Sequence, residues 1–199
     1  MKPCQDEAEY QAKLIQLCGL LWLEEQGYIR IYYGDESGFN LVPCIPYGWQ
    51  EKGNPICIVP KKGRTLNAFG LYTRNNELEI YTSEQSINSD LAIAFIDDFC
   101  KRMKQQSVIV LDNASIHHSY KFKAKIKEWE AQGLYIFYLP AYSPHLNLIE
   151  TLWRKIKYEW LKAHHYLNWT TFVSALEYIF CQVGREFNIL FKNQLAENI

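Results

Sequence analysis

A mixed α/β sheet covered by helices is the fold class this sequence predicts, and two observations predict it. Residues 28–81 carry short β-branched and aromatic runs punctuated by Gly, Pro and Asn, the pattern of an antiparallel meander. From residue 89 onward, apolar strands alternate with amphipathic helices, as β-α-β units on a parallel sheet do. With 199 residues, one domain with a sizeable core is the expectation.

Residues 5 to 26 have helical spacing in Leu14, Leu17, Cys18, Leu21 and Trp22, with Gly27 as the stop, so a lead-in helix is predicted over residues 1–27. Tyr28 to Tyr33 is the first strand, running to about Glu36 or Ser37. Further strands are predicted at Ile56 to Val59, Leu66 to Thr73 and Leu78 to Tyr81. Ser89-Asp90 can cap a helix with Leu91, Ala94, Phe95, Ile96 and Phe99 on one face. Val108 to Leu111 is then a strand, Tyr120 to Ala131 a basic helix ending near Gly133, and Leu134 to Leu139 a strand. After the turn signals of PAYSPHLN, Leu148 to Lys162 is a helix with the stripe Ile149, Leu152, Trp153, Ile156 and Trp160, and Thr170 to Val183 closes the domain.

Composition narrows the function classes. The six cysteines are scattered, with no C-x-x-C pair and no zinc-site spacing, so they read as reduced thiols. The chain opens MKPCQDEAEY, and its first apolar run, Leu14 to Leu23, is interrupted by Gln16 and too short to span a bilayer. No signal peptide and no membrane anchor are therefore expected. The net charge of −1 does not announce a nucleic-acid binder, although basic residues cluster at Lys61 to Arg64, Lys101 to Lys104, Lys121 to Lys127 and Arg154 to Lys157.

Three acidic residues stand where function collects. Asp35 and Asp112 lie at the ends of predicted core strands, and Glu150 opens a helix after a Pro-rich turn. Asp35 shares a strand face with Ser37 while Glu36 points the other way, which makes Asp35 the candidate and Glu36 the spectator, a choice the register leaves open. Each aspartate alone is explained by turn chemistry, and Glu150 by an ion pair with Arg154 one turn along. Together, three carboxylates on rigid elements would suit Mg²⁺ or a similar hard cation. Two such ions about 4 Å apart can activate a water and stabilise the leaving oxygen of a phosphodiester.

The segments YGDESGFN, VIVLDNASIHHS and LPAYSPHLNLIETLWRKIK resemble, in that order, the three signatures of the DDE superfamily of transposases, in particular its mariner-like bacterial insertion-sequence branch. The resemblance runs from about Tyr32 to Lys157 and is most specific in the third segment. It implies a ribonuclease-H-like fold over residues 28–199, with a three-stranded antiparallel meander plus parallel strands. It further implies that Asp35, Asp112 and Glu150 form the catalytic, metal-binding triad, with two Mg²⁺ or Mn²⁺ ions. The implied activity is hydrolysis at transposon ends to free a 3′-hydroxyl, followed by attack on target DNA, by a homodimer acting in the bacterial cytoplasm at the nucleoid.

Supporting residues follow by position. Asn113, His117, His145, Asn147, Arg154 and Lys157 are candidates for DNA contact; Asn113 could instead orient a carboxylate, His117 cap its turn, and His145 and Asn147 touch backbone, while Arg154 and Lys157 fall on the Glu150 side of their helix. For Arg154 and Lys157, a solvated face explains the charges equally well. Trp49, Lys52 and Arg64 are further candidates for DNA contact. Family members carry helix-turn-helix modules ahead of the catalytic domain, and this chain shows one lead-in helix. It is thus expected to be a catalytic domain alone: a fragment, a degraded copy, or the partner of a separate helix-turn-helix protein. Two rivals are a ribonuclease-H-like nuclease without strand transfer and a catalytically silent remnant serving as a binding module. A serine-hydrolase reading of Ser115 with His117 lacks the G-x-S-x-G elbow.

Overall fold

The computed structural model describes residues 7–44, 52–53 and 61–191. The predicted strand at Ile56 to Val59 and the candidate Trp49 lie outside the described residues. Five strands form one sheet in the order β3-β2-β1-β4-β5, with β1 Arg30–Leu41, β2 Lys61–Tyr72, β3 Leu78–Ser83, β4 Ser107–Leu111 and β5 Leu134–Tyr138. The β1-β2 and β2-β3 pairs are antiparallel and the β1-β4 and β4-β5 pairs parallel, so the predicted meander and β-α-β half meet at β1.

Helices cover both faces. On one, α1 (Glu7–Glu25), α4 (Leu148–Lys155) and α5 (Trp169–Gln182) pack on Ile31, Tyr33, Phe39, Val108 and Val110. On the other, α2 (Ser89–Arg102) and α3 (Tyr120–Ala131) pack on Tyr32, Phe69, Leu71, Ile109 and Leu111. Alternate residues of β1 and β4 therefore serve two separate cores, as the pleat requires. Lead-in helix α1 belongs to the first core: Leu17 and Leu21 are buried in it, and Glu24 accepts a hydrogen bond from the Ile31 N–H at 2.8 Å. Among the described residues no helix is long and apolar enough to cross a membrane.

Local chemistry moves several predicted boundaries. β1 runs to Leu41, past GDESGFN, because β2 pairs with it along its length. The cap of α2 is Asn88, whose side chain accepts from the Leu91 N–H, while Ser89 donates instead to the carbonyl of Ile116. The helix expected over Leu148 to Lys162 is α-helical only to Lys155; Ile156–Trp160 widens into a π-turn that Leu161 closes on the Ile156 carbonyl.

Candidate active site

The sheet brings two of the three acids together. β1 and β4 pair in parallel from Arg30 opposite Ser107 to Tyr33 opposite Val110. Carried on by two residues, this register sets Asp35 opposite Asp112. Alternation places both on the face of Tyr33 and Val110, the face that α4 covers. The indole N–H of Trp153 on α4 donates to Asp35 Oδ2 at 3.1 Å, which fixes that side chain toward the helix.

Glu150 lies in the first turn of α4, on the exposed side of a helix whose Ile149, Leu152 and Trp153 are buried. Two devices dock this helix end. Gly70, the β2 partner of Asp35, leaves no side chain where Trp153 and Ile149 lie: an added Cβ would come within 2.8 Å of both. Asn147, buried just ahead of α4, donates to the Gly34 carbonyl at 3.1 Å, tying the helix start to the residue before Asp35.

The electrostatics record the convergence. Burial pushes Asp35 up to about 8, and the nearby carboxylates of Glu150, Glu36 and Asp112 add to that rise. Asp112 moves the other way, below the usual carboxylate range, chiefly because His117 hydrogen-bonds it. His117 is fully enclosed. Its Nδ1 lies 3.3 Å from Asp112 Oδ1, and its Nε2 lies 3.1 Å from Glu36 Oε1. Burial opposes a charged imidazole here, but the hydrogen bonds to Asp112 and Glu36 outweigh it and raise His117 to about 9. The Ala114 N–H also donates to Asp112 Oδ1, at 3.0 Å, while Oδ2 has no hydrogen-bond partner among the described residues.

Two open clefts meet at Pro144 and Glu150. The first, about 490 Å³, is walled by Asp112, Asn113, Tyr142 and Asn147. The second, about 590 Å³, is walled by His145, Arg154, Lys157 and Tyr158. Arg154 is exposed and forms no ion pair with Glu150 among the described residues, so the predicted pair is absent. Lys157 lies over the Phe39 ring at 5.1 Å, and Tyr10 Oη of α1 is 3.1 Å from His145 Nε2. Asn113 donates to the Leu139 carbonyl and meets His118 at 3.1 Å.

Several expectations need correction. His117 was a candidate for DNA contact, but it is fully buried, which leaves it no surface for a phosphate, whereas Asn147 makes the backbone contact that was its alternative. Of the other candidates, which stay exposed, Arg64 pairs with Glu84 and stacks over Trp169 at 4.8 Å, and Lys52 sits in a turn. Glu36, expected to be a spectator, holds the imidazole that holds Asp112. The signal for it was faint: a second acid beside Asp35, and the first of two adjacent histidines five residues after Asp112. No group of three His, Cys, Asp or Glu side chains among the described residues stands arranged to hold a metal ion. The donor chemistry nevertheless fits a hard cation: the carboxylates of Asp35 and Asp112 on the sheet and of Glu150 on the helix over it, with no hydrogen bond to Asp112 Oδ2 among the described residues.

Comparison with known proteins gives a family and a fold. The family described as DDE superfamily endonuclease matches residues 30–172. No curated protein matches. Among solved structures, the mariner Mos1 paired end complex with Mg is similar at a TM-score of 0.57 and 16% identity, covering 90% of this chain and 56% of that one. The catalytic domain of Mos1 mariner transposase gives 0.53 and 12%, covering 89% and 83%, and the catalytic core domain of BIV integrase 0.51 and 12%, covering 81% and 86%. At these identities the likeness establishes the ribonuclease-H-like fold of such catalytic cores. The chain spans just over half the length of the Mos1 chain in the paired end complex.

Proposed function

The chain belongs to the DDE superfamily of endonucleases, and on that premise we propose that it is a transposase catalytic domain, cleaving DNA strands at transposon ends and joining them to target DNA. The observation that carries this reading is the approach of Asp35, Asp112 and Glu150 from β1, β4 and α4, with the two aspartates in register and the glutamate on the helix that covers them. These three carboxylates would hold Mg²⁺ or Mn²⁺, two ions in the full site. When bound, such ions supply an activated water and charge stabilisation for the leaving oxygen. The paired end complex with Mg, a fold neighbour, supports the choice of ion.

The protein's own groups do the rest of the positioning. Trp153 holds Asp35 by one carboxylate oxygen, and His117 with the Ala114 N–H holds Asp112 by one oxygen. A DNA strand entering the paired clefts would meet His145, Arg154 and Lys157 beside Glu150, where cations suit a phosphate backbone. Asn113 lines the other cleft and is the remaining candidate contact there. The catalytic unit is read as residues 28–199, with residues 1–27 as its lead-in helix. A helix-turn-helix module, in the same or a separate chain, would supply recognition of transposon ends, and a homodimer would pair them. The Mos1 chain in the paired end complex is longer, which is consistent with such added parts.

The test is a nicking assay with Mn²⁺, transposon-end DNA and any end-binding module the element encodes. The wild-type protein should nick the end, and Asp112→Ala should abolish nicking while the melting temperature stays close to that of the wild type. Undiminished cleavage by Asp112→Ala would remove the triad assignment.

A further inference from the structure

Glu36 and His117 stand outside the three acids, and the contacts between them give both a task. Glu36 alternates with Asp35, so it points to the α2-α3 side of the sheet, away from α4 and the carboxylate set. There its Oε1 meets Nε2 of the enclosed His117 at 3.1 Å. The other ring nitrogen faces Asp112, 3.3 Å from Oδ1 and 3.4 Å from the backbone carbonyl. Asp112 lies one residue past the end of β4, so its own strand no longer separates the two faces, and this lets an imidazole on one side reach a carboxylate directed to the other.

The ring has no freedom to serve another purpose. Tyr138 donates to the His117 carbonyl at 2.8 Å, Phe122 packs against the imidazole with centroids 5.5 Å apart, and Ser89 of α2 binds the preceding carbonyl at 3.1 Å. The imidazole and the Ala114 N–H both take Oδ1 of Asp112, so Oδ2, which has no hydrogen-bond partner among the described residues, is set in one orientation. We propose that Glu36 and His117 are positioning residues: Glu36 fixes the imidazole, and the imidazole aims Asp112 Oδ2 at the divalent cation. Without Glu36 the buried Nε2 faces no acceptor, the ring is free to tilt, and Asp112 regains its side-chain rotation. Outer hydrogen-bond partners of metal-binding groups generally act this way, and their loss costs roughly 10- to 100-fold in metal affinity. The proposal rests on Asp112 being a metal ligand.

The experiment measures Mn²⁺ binding to the purified protein by electron paramagnetic resonance, with melting temperature as a check on folding. Glu36→Ala should weaken binding roughly 10- to 100-fold, and Glu36→Gln, whose amide oxygen still accepts from Nε2, should restore it to within a few-fold. Glu36→Asp, one methylene short of the ring, replaces the alanine variant if that one does not fold, and should be weakened as well. Binding within twofold of wild type in the alanine or aspartate variant overturns the proposal. A Glu36→Gln variant as weak as the alanine variant also overturns it, since the carboxylate charge itself would then be what binds the ion. Asp112→Ala separates the two levels: if it leaves Mn²⁺ binding unchanged, the metal-ligand reading fails first and takes this proposal with it.

Discussion

Replacing Gly70 by alanine tests whether α4 is docked as closely as the site requires. A Cβ there would lie 2.8 Å from Ile149 Cδ1 and from Trp153 Cη2, and 3.0 Å from Trp153 Cζ2. Carbon atoms pack at about 3.5–4.0 Å, so the helix or its indole must retreat by roughly 1 Å. Overpacking of that size costs about 1–3 kcal/mol, which for a chain of this length lowers the melting temperature by roughly 3–10 °C. Gly70 is the strand partner of Asp35, so the push falls beside the 3.1 Å bond from Trp153 to Asp35 and one turn from Glu150. A misplacement of about 1 Å at reacting groups can cost on the order of 100-fold in rate. Gly70→Ala should therefore lose nicking by about that factor, beyond any loss of folded protein. Ile149→Val deletes the Cδ1 atom, so in the double variant the two stability costs should total less than their sum. A Gly70→Ala protein that melts and nicks like wild type would refute the close docking of α4 over Asp35.

Two further outcomes follow from the charges. Arg154→Ala should weaken DNA binding evenly across sequences and reduce the slope of log affinity against log salt by about 1, while Lys157→Ala, whose ammonium is partly engaged by Phe39, should do less. Fluorescence anisotropy across a salt series reads both, and an unchanged slope for Arg154→Ala would exclude a phosphate contact there. In chelator, Asp35 holds its proton to about pH 8 when folded, against about 3.9 when unfolded, so the folded state binds more protons between those values. The wild type should thus lose stability relative to Asp35→Asn as pH rises from about 4 to 8, with no further divergence above that. Melting curves at pH 5 and pH 8 give the comparison, and parallel losses in the two proteins would contradict it.

Much of the architecture was legible because local signals agreed with the final packing. Helix α3 occupies the predicted Tyr120–Ala131, since Ser119 caps it and Gly133 ends it at a φ of +87°. The three acids stood out by motif, but only Asp112 and Glu150 lie at element ends as the pattern marked them; Asp35, expected at the end of the first strand, sits in the middle of β1 because β2 pairs with that strand as far as Leu41. What the sequence concealed was mostly work done by neighbours distant along the chain. Gly38 lies just past the predicted end of the first strand, among turn signals, yet it sits inside β1, where pairing with β2 overrides the local preference. Asn147 could have touched either substrate or backbone, and only the docked helix shows it buried against the Gly34 carbonyl. His117 was a candidate for DNA contact or capping by its place in the motif; its partner Glu36 lies 81 residues away, beyond the reach of any local signal.

The three acids are not held alike. Asp35 and Asp112 are set beside each other by the hydrogen-bonded register of β1 and β4, and a one-residue slip would turn every side chain of β1 to the wrong core. Glu150 has no such ladder; its distance from the pair depends on how α4 lies on the sheet. The devices nearest the site act on that one distance: the missing side chain at Gly70, the tie from Asn147 to Gly34, and the Trp153 bond to Asp35. The imidazole of His117 acts instead on orientation, turning Asp112 without moving it. Distance and orientation are thus controlled from opposite faces of the sheet. Variants at Gly70 and at Glu36 should consequently impair the same chemistry by separable routes, the first with a loss of stability through packing and the second through the aim of one oxygen.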